Sequence, residues 1–338
     1  VLIGINVGLS KVNSDERIIV YLRSFNYFYV FLAVPIAMLI KKNRIELKSF
    51  LKILVFLCLG SYAFRTAISL YYTYSGGVIF PRIAEESAVT LWLRNGMLRI
   101  NPPCLSLIFV PIVFYLVTKA EKTRKKIGWI FALLMGILYS AFIHQSRSML
   151  VYQLCTVVFM YLFQNVTNRK TLLRWIFILI VAVILINTST FNVFIDSFSP
   201  SDSIYGNSTS LRVLTYGYAF QQLLKHPFTG SGIIVDTTSV LGADLADIGV
   251  YYSISMLGIC MIIVYGMLFL KAVYISKRVK KQKMMEESIL IVGMTVQVLL
   301  IGINIDCFYP IFSFAMPFYL GITEGIFLKS GLHRNLNS

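Results

Sequence analysis

Apolar residues in this chain come in long blocks. Nine of them lie at roughly 18–40, 50–72, 102–118, 127–144, 148–163, 173–189, 251–270, 287–305 and 311–328. Blocks of about 17–23 residues match the length an α-helix needs to cross the hydrocarbon of a bilayer. A segment in lipid must satisfy its own backbone, so each block is read as a helix. The opening "VLIGINVGL" is apolar as well. It has no initiator Met, basic start or cleavage site, and reads as the tail of a tenth, truncated span and not as a signal peptide. The expected fold class is an all-α polytopic membrane protein, with residues 1–338 forming one membrane domain.

The polar intervals alternate in kind. Intervals 41–48 (KKNRIELK), 119–126 (KAEKTRKK), 169–174 (RKTLLR), 271–283 (KAVYISKRVKKQK) and the C-terminal tail hold most of the cations. The positive-inside rule puts all five in the cytoplasm, the C-terminus included. The nine spans fit this alternation throughout. Residues 190–250 then form one large extracytoplasmic loop, long enough to be functional and carrying an amphipathic helix of its own. A second external segment covers 73–101, and 145–147 and 306–310 are short external turns.

Composition narrows the classes. A chain that is 57% hydrophobic over 338 residues, with mean hydropathy +0.74, lacks the polar surface of a soluble domain. The net charge of +16 sits in short runs at span ends, which marks topology and not a nucleic-acid interface. Cys58, Cys155 and Cys260 fall inside spans. Cys104 and Cys307 fall at external span ends, and nothing in their spacing demands a disulfide. No metal-ligand spacing, phosphate loop or dinucleotide fingerprint occurs, so no metal and no cofactor is expected.

The arginines change the picture more. On the cytoplasmic side fifteen lysines, counting Lys52, stand against six arginines. Outside, the ratio reverses: Arg17, Arg23, Arg65, Arg82, Arg94, Arg99, Arg147 and Arg212 stand against Lys11 and Lys225. Arginine offers a planar fork of donors that matches phosphate bidentately. An outer face rich in arginine points to a phosphate or diphosphate ligand. The competing use is pairing with Glu85, Glu86 or aspartates, or reaching for lipid phosphates. Arg65 lies within "LGSYAFRTAISLYY", inside a span, where a charge needs a wet cavity or a partner. Arg147 lies in "FIHQSRSMLVYQL". Its "HQSRS" turn is too short for a loop and is expected to dip into the outer mouth of the bundle, unless it is a plain hairpin cap.

The least membrane-like passage is "STSLRVLTYGYAFQQLLKHPFTGSGI", residues 208–233. Ser208, Thr209 or Ser210 can cap a helix start. The run 211–224 has a broad apolar side, Arg212 falls in its first turn, and Pro227 stops it. An interfacial helix touching lipid headgroups would account for the helix alone. The fuller arrangement, an arginine opening a helix that ends in Pro-x-x-Gly-x-Gly, resembles the signature of the bacterial O-antigen polymerase and O-antigen ligase family. "HQSRSML" is similar to that family's Ser-Arg pair at an external span junction upstream. The resemblance covers the order of elements from about residue 127 to 328.

The resemblance implies a GT-C-like fold in the bacterial cytoplasmic (inner) membrane, with an active site on the outer face. It implies a glycosyltransferase acting on undecaprenyl-diphosphate-linked oligosaccharides as donor and acceptor. The product would be O-antigen, capsule or exopolysaccharide. It also implies contact with membrane lipids, and a chain-length regulator and a flippase as partner proteins. Arg147 and Arg212 would bind the donor diphosphate, and Arg65 joins them by its depth. Ligases of the family carry a histidine about eleven residues before a glycine in the next span. Counting back from Gly258 in "GADLADIGVYYSISMLGI" gives Asp247 instead, which favours polymerase over ligase. Asp247 could orient the acceptor hydroxyl or take its proton. His226 is a second candidate base, against its use as a helix end. A lipid-linked glycan transporter is the alternative of another class, but it should show ionisable residues at several depths, and these spans are nearly free of acids. A non-catalytic scaffold would need neither Arg65 nor Arg147.

Overall fold

The computed structural model describes residues 1–12, 17–76, 93–94, 97–164, 206–233, 248–308 and 310–336. Helix takes up 80% of them, and their strands are two residues each (Leu93–Arg94 and Met97–Leu98, antiparallel), so the described part of the chain is mostly helical and compatible with an all-α fold. Among the described residues, five helices are long and apolar enough to cross a membrane: Val20–Lys41, Leu47–Ser75, Thr123–Ile143, Cys260–Lys281 and Met285–Gly302. Long apolar helices of this kind belong to a membrane protein.

In chain order the helices are α1 (Leu2–Leu9), α2 (Arg17–Phe28), α3 (Ala33–Lys41), α4 (Leu47–Ser75), α5 (Ser106–Thr118), α6 (Thr123–Leu138) and α7 (Arg147–Phe163). They continue with α8 (Gly206–Lys225), α9 (Val250–Leu257), α10 (Cys260–Lys281), α11 (Met285–Gly302), α12 (Pro310–Ser313) and α13 (Met316–Leu336). A 3-10 turn, Tyr29–Leu32, joins α2 to α3. Pro35 explains it, because proline cannot donate to the carbonyl of Phe31 and its ring crowds that turn.

The chain divides into two compact units. One holds residues 26–160, 269–301 and 307–338. Its centre is α5, where Leu107, Ile108, Val110, Val113 and Leu116 are all shielded. The span expected at 102–118 is shortened here: α5 starts only at Ser106, after the successive Pro102 and Pro103, which disfavour helix for the residues before them. Helix α13 packs on α3 through Gly321 and Gly325, where a Cβ would come within 2.7 Å of the Cβ of Ile36 or Ile40. This is the small-xxx-small packing of membrane helices. At the lysine-rich end, the Lys119 ammonium meets Glu286 at 2.7 Å and Glu287 at 3.3 Å, the acids of the first turn of α11. Lys271 pairs with Glu324.

The other unit holds residues 1–25, 161–268 and 302–306. Here the expected span 251–270 is not one helix. It breaks at Gly258, which adopts φ +75° between α9 and α10. Helix α10 then runs to Lys281, through most of the interval 271–283 that was expected to be a loop. Nothing in "KAVYISKRVKK" stops a helix, and its lysines and arginine favour one. The expected span 311–328 is also altered: α12 ends at Ser313 and α13 starts afresh at Met316. Glu324, Lys329 and three glycines dilute α13, which is not among the five long apolar helices. The span expected at 173–189 lies outside the described residues.

Candidate functional site

The turn that carries Arg147 is built by widening the end of a helix. After α6 the backbone makes a π-turn, Tyr139–Ile143. The His144 N–H reaches the Tyr139 carbonyl at 2.9 Å, and the Ser146 N–H reaches that of Ser140 at 3.2 Å. Such turns recur at functional sites. His144 and Gln145 are buried, and Gln145 adopts φ +50°, a left-handed conformation uncommon outside glycine. Ser146 closes the corner: its Oγ accepts from the Met149 N–H at 3.4 Å, as an N-cap does. Arg147 is the first residue of α7 and is half-buried. His144 and Gln145 are thus shielded, while Ser146, Arg147 and Ser148 keep part of their surface exposed.

A neighbouring strap, residues 98–101, ties this corner to α4. Ser69 Oγ donates to the Leu98 carbonyl at 2.6 Å. Tyr139 Oη donates to the carbonyls of Ile100 and Asn101, both at 3.2 Å. Arg65 Nη1 donates to the Asn101 carbonyl at 2.7 Å. From the strap, Arg99 Nε reaches out to the His144 carbonyl at 2.7 Å. Arg65 and Arg99, two of the arginines expected on the outer side, thus grip backbone carbonyls, a use the sequence did not suggest. Arg65 also sits about 20 Å along α4 from Lys52, at about 1.5 Å per residue, and so far from the basic end of its helix.

The second candidate region lies in the other unit. Helix α8 is described from Gly206, a turn earlier than expected, so Ser208–Ser210 lie within it and Arg212 falls in its second turn. Four successive cap-forming residues, Asn207 to Ser210, made the start ambiguous from sequence. The helix stops at Lys225 as Pro227 demands. His226 is exposed at its end, and its carbonyl accepts the Gly230 N–H at 2.9 Å.

The turn 227–233 then knits the broken helix. The N–H groups of Ser231 and Gly232 donate to the carbonyls of Ser255 and Met256 at 2.8 and 3.0 Å. Those are last-turn carbonyls of α9, which have no partner within their own helix. Across the break, the Ile259 N–H donates to the Pro227 carbonyl at 2.8 Å. Glycine is required at this contact. Gly230 has φ +68°, and a Cβ there would overlap the Met256 carbonyl. A Cβ on Gly258 would lie 2.6 Å from the Phe228 oxygen. Helix α1 closes the far side: the Ile233 N–H donates to the Gly4 carbonyl at 3.1 Å, and Lys11 Nζ donates to that of Ser231 at 2.7 Å.

Arg212 is half-buried on α8. One turn further, Tyr216 Oη donates to the Ile303 carbonyl at 3.1 Å. Three residues beyond Ile303 stands Asp306, fully shielded, with Tyr265 Oη donating to its Oδ1 at 2.6 Å. Sequence reasoning passed over this acid, although a lone aspartate at the end of an acid-poor span was its signal. Asp247, the acid it named, lies outside the described residues. Arg65, Arg99 and the Arg147 turn thus share one unit, while Arg212, His226 and Asp306 share the other. No protein-family model and no curated protein matches the chain.

Proposed function

We propose that the protein is a polysaccharide polymerase, a glycosyltransferase that joins undecaprenyl-diphosphate-linked repeat units at the outer face of the bacterial cytoplasmic membrane. In this reading it threads nine spans of a GT-C-like fold, with 190–250 outside and the C-terminus inside. The observation that carries it is the Arg147 corner: a guanidinium at the first residue of a helix, in a partly shielded turn held by Arg99. A helix N-terminus favours anions, and a guanidinium there adds a bidentate phosphate donor.

The chemistry asks little more. The acceptor hydroxyl oxygen forms a bond to the donor's anomeric carbon as the bond from that carbon to the diphosphate oxygen breaks. The hydroxyl proton passes to a carboxylate, and the leaving diphosphate is held by guanidinium groups, of which Arg147 is the first candidate. Fixed charges of this kind stabilise a developing anion strongly where water is excluded. Asp247 remains the candidate acceptor of the proton on the resemblance, and the shielded Asp306 is a second. His226, exposed at a helix end, suits the role less.

The test is the surface glycan of cells carrying variants at normal protein level. Arg147→Lys should shorten the chains severely, because a point charge replaces a fork. Normal chain length in that variant would refute diphosphate recognition there. In cells lacking the protein, loss of long chains with single repeats still displayed indicates a polymerase. Loss of all attachment indicates a ligase, and lipid-linked units trapped inside indicate a transporter.

A further inference from the structure

A different site lies at the lysine-rich end of the unit that contains α4 and α6. Between these two helices runs a groove of about 660 Å³. That is within the range of small-molecule sites, about 300–1,000 Å³. Its walls are apolar. Phe56 and Trp129 face each other with ring centroids 5.9 Å apart, and Leu59 and Phe131 extend the same surface. Small residues, Ala63, Gly128 and Ala132, keep it open where larger ones would close it. The rim is cationic: Lys48, Lys52, Lys122 and Lys125 stand against one carboxylate, Glu121. Lys48 gives one N–H to the Lys119 carbonyl at 3.3 Å, which holds it at the rim.

We infer that this groove binds a diacyl lipid with an anionic phosphate headgroup, taken from the membrane leaflet on the lysine-rich side. Its form follows the ligand: an apolar trough suits an acyl chain, and the ammonium groups at one end suit a phosphate. A zwitterionic headgroup brings its own cation to a rim that repels it, so the site selects for net negative charge. Lipids that merely surround a helix touch a convex surface and meet no such fixed cluster. The inference goes beyond glycan transfer and does not rest on it.

The groove carries its own reporter. The chain has three tryptophans, so Trp92→Phe with Trp175→Phe leaves Trp129 alone in the wall. This protein is reconstituted in mixed bilayers where either phosphatidylglycerol or phosphatidylcholine carries brominated acyl chains, which quench indole on contact. At equal mole fraction, brominated phosphatidylglycerol should quench Trp129 several-fold more effectively. Lys52→Gln with Lys125→Gln should equalise the two lipids. Gly128→Phe, whose side chain enters open space, should reduce quenching by both without unfolding the protein. Equal quenching in the parent protein, or a preference that survives the double lysine change, would overturn the site. Glycerol phosphate, the headgroup without chains, should leave the quenching unchanged. If it relieves the quenching, the rim takes the phosphate alone and the lipid assignment fails.

Discussion

The turn 227–233 and the strap 98–101 both fix irregular backbone against helices, but by opposite means. The turn uses mainly backbone on backbone, with N–H groups of Ser231, Gly232 and Ile259 meeting carbonyls directly, and side-chain bonds from Lys11 and Ser231 beside them. Glycine makes that approach possible. The strap uses side chain on backbone, with Arg65, Ser69 and Tyr139 reaching in from helices and Arg99 reaching out. Long side chains keep their own adaptability, whereas backbones in contact have none. The turn should therefore tolerate almost nothing at its contact points, and the strap should lose stability in steps. The difference also bears on the arginines expected on the outer side. Arg65 and Arg99 serve carbonyls, so the surplus of arginine over lysine is partly architecture.

The largest effect is expected at Gly230. Alanine there meets a left-handed φ, which disfavours a side chain by about 1–2 kcal/mol. It also meets the Met256 carbonyl, which the turn's own hydrogen bonds prevent from moving. Gly230→Ala should sharply lower the melting temperature of the purified protein in detergent, or prevent its accumulation. Gly217→Ala is the control. That position of α8 faces open space, so the change should be neutral or stabilise by up to about 1 kcal/mol. Equal behaviour of the two variants would break the account of the turn.

Much of this was legible beforehand, and the failures have a common cause. Apolar blocks marked the helices, and Pro227 marked the end of α8. The break at Gly258 did not show, because 251–270 reads as one apolar run and a single glycine there looks like a packing residue. Only the distant Pro227–Phe228 carbonyls make it a boundary. The same holds for Arg65, whose partner carbonyl stands 36 residues away. The spacings Gly4-x-x-x-Gly8 and Gly321-x-x-x-Gly325 were in plain view, yet only the distant segments they meet turn them from composition into contacts. Asp306 showed in sequence only as a lone acid, because its partner Tyr265 stands 41 residues away.

The strap should give an intermediate effect. Arg99→Met removes a charged donor from the His144 carbonyl and should destabilise by about 1.5–3 kcal/mol, the usual range for a hydrogen bond to a charged group. Arg99→Lys should recover part of that, since an ammonium can still reach a carbonyl. Both should fall short of Gly230→Ala in thermal denaturation. If Arg99→Met were as damaging as the glycine change, the distinction between adaptable and rigid contacts would not hold.

The smallest effect is expected at the lysine-rich end, where contacts are side chain to side chain. Burial disfavours the charge on Lys119, but its hydrogen bond to Glu286 and the nearby Glu287 outweigh this and raise its pKa above the ordinary lysine value. Both partners of the Lys119–Glu286 pair keep solvent contact, with side chains 29% and 40% exposed. Pairs of that kind contribute about 0–1 kcal/mol. Lys119→Met should therefore shift the melting temperature only slightly, and by less in high salt, where exposed charges are screened. The pH dependence follows from the direction of the shift. A cation whose folded pKa is raised stabilises the fold fully below its unfolded value, near about 10.4. That contribution fades as pH rises through the higher folded value. The difference in stability between the parent and Lys119→Met should thus be constant through neutral pH and vanish only in strong alkali. A difference that disappeared near neutrality would mean that another group, and not Lys119, holds α5 to α11.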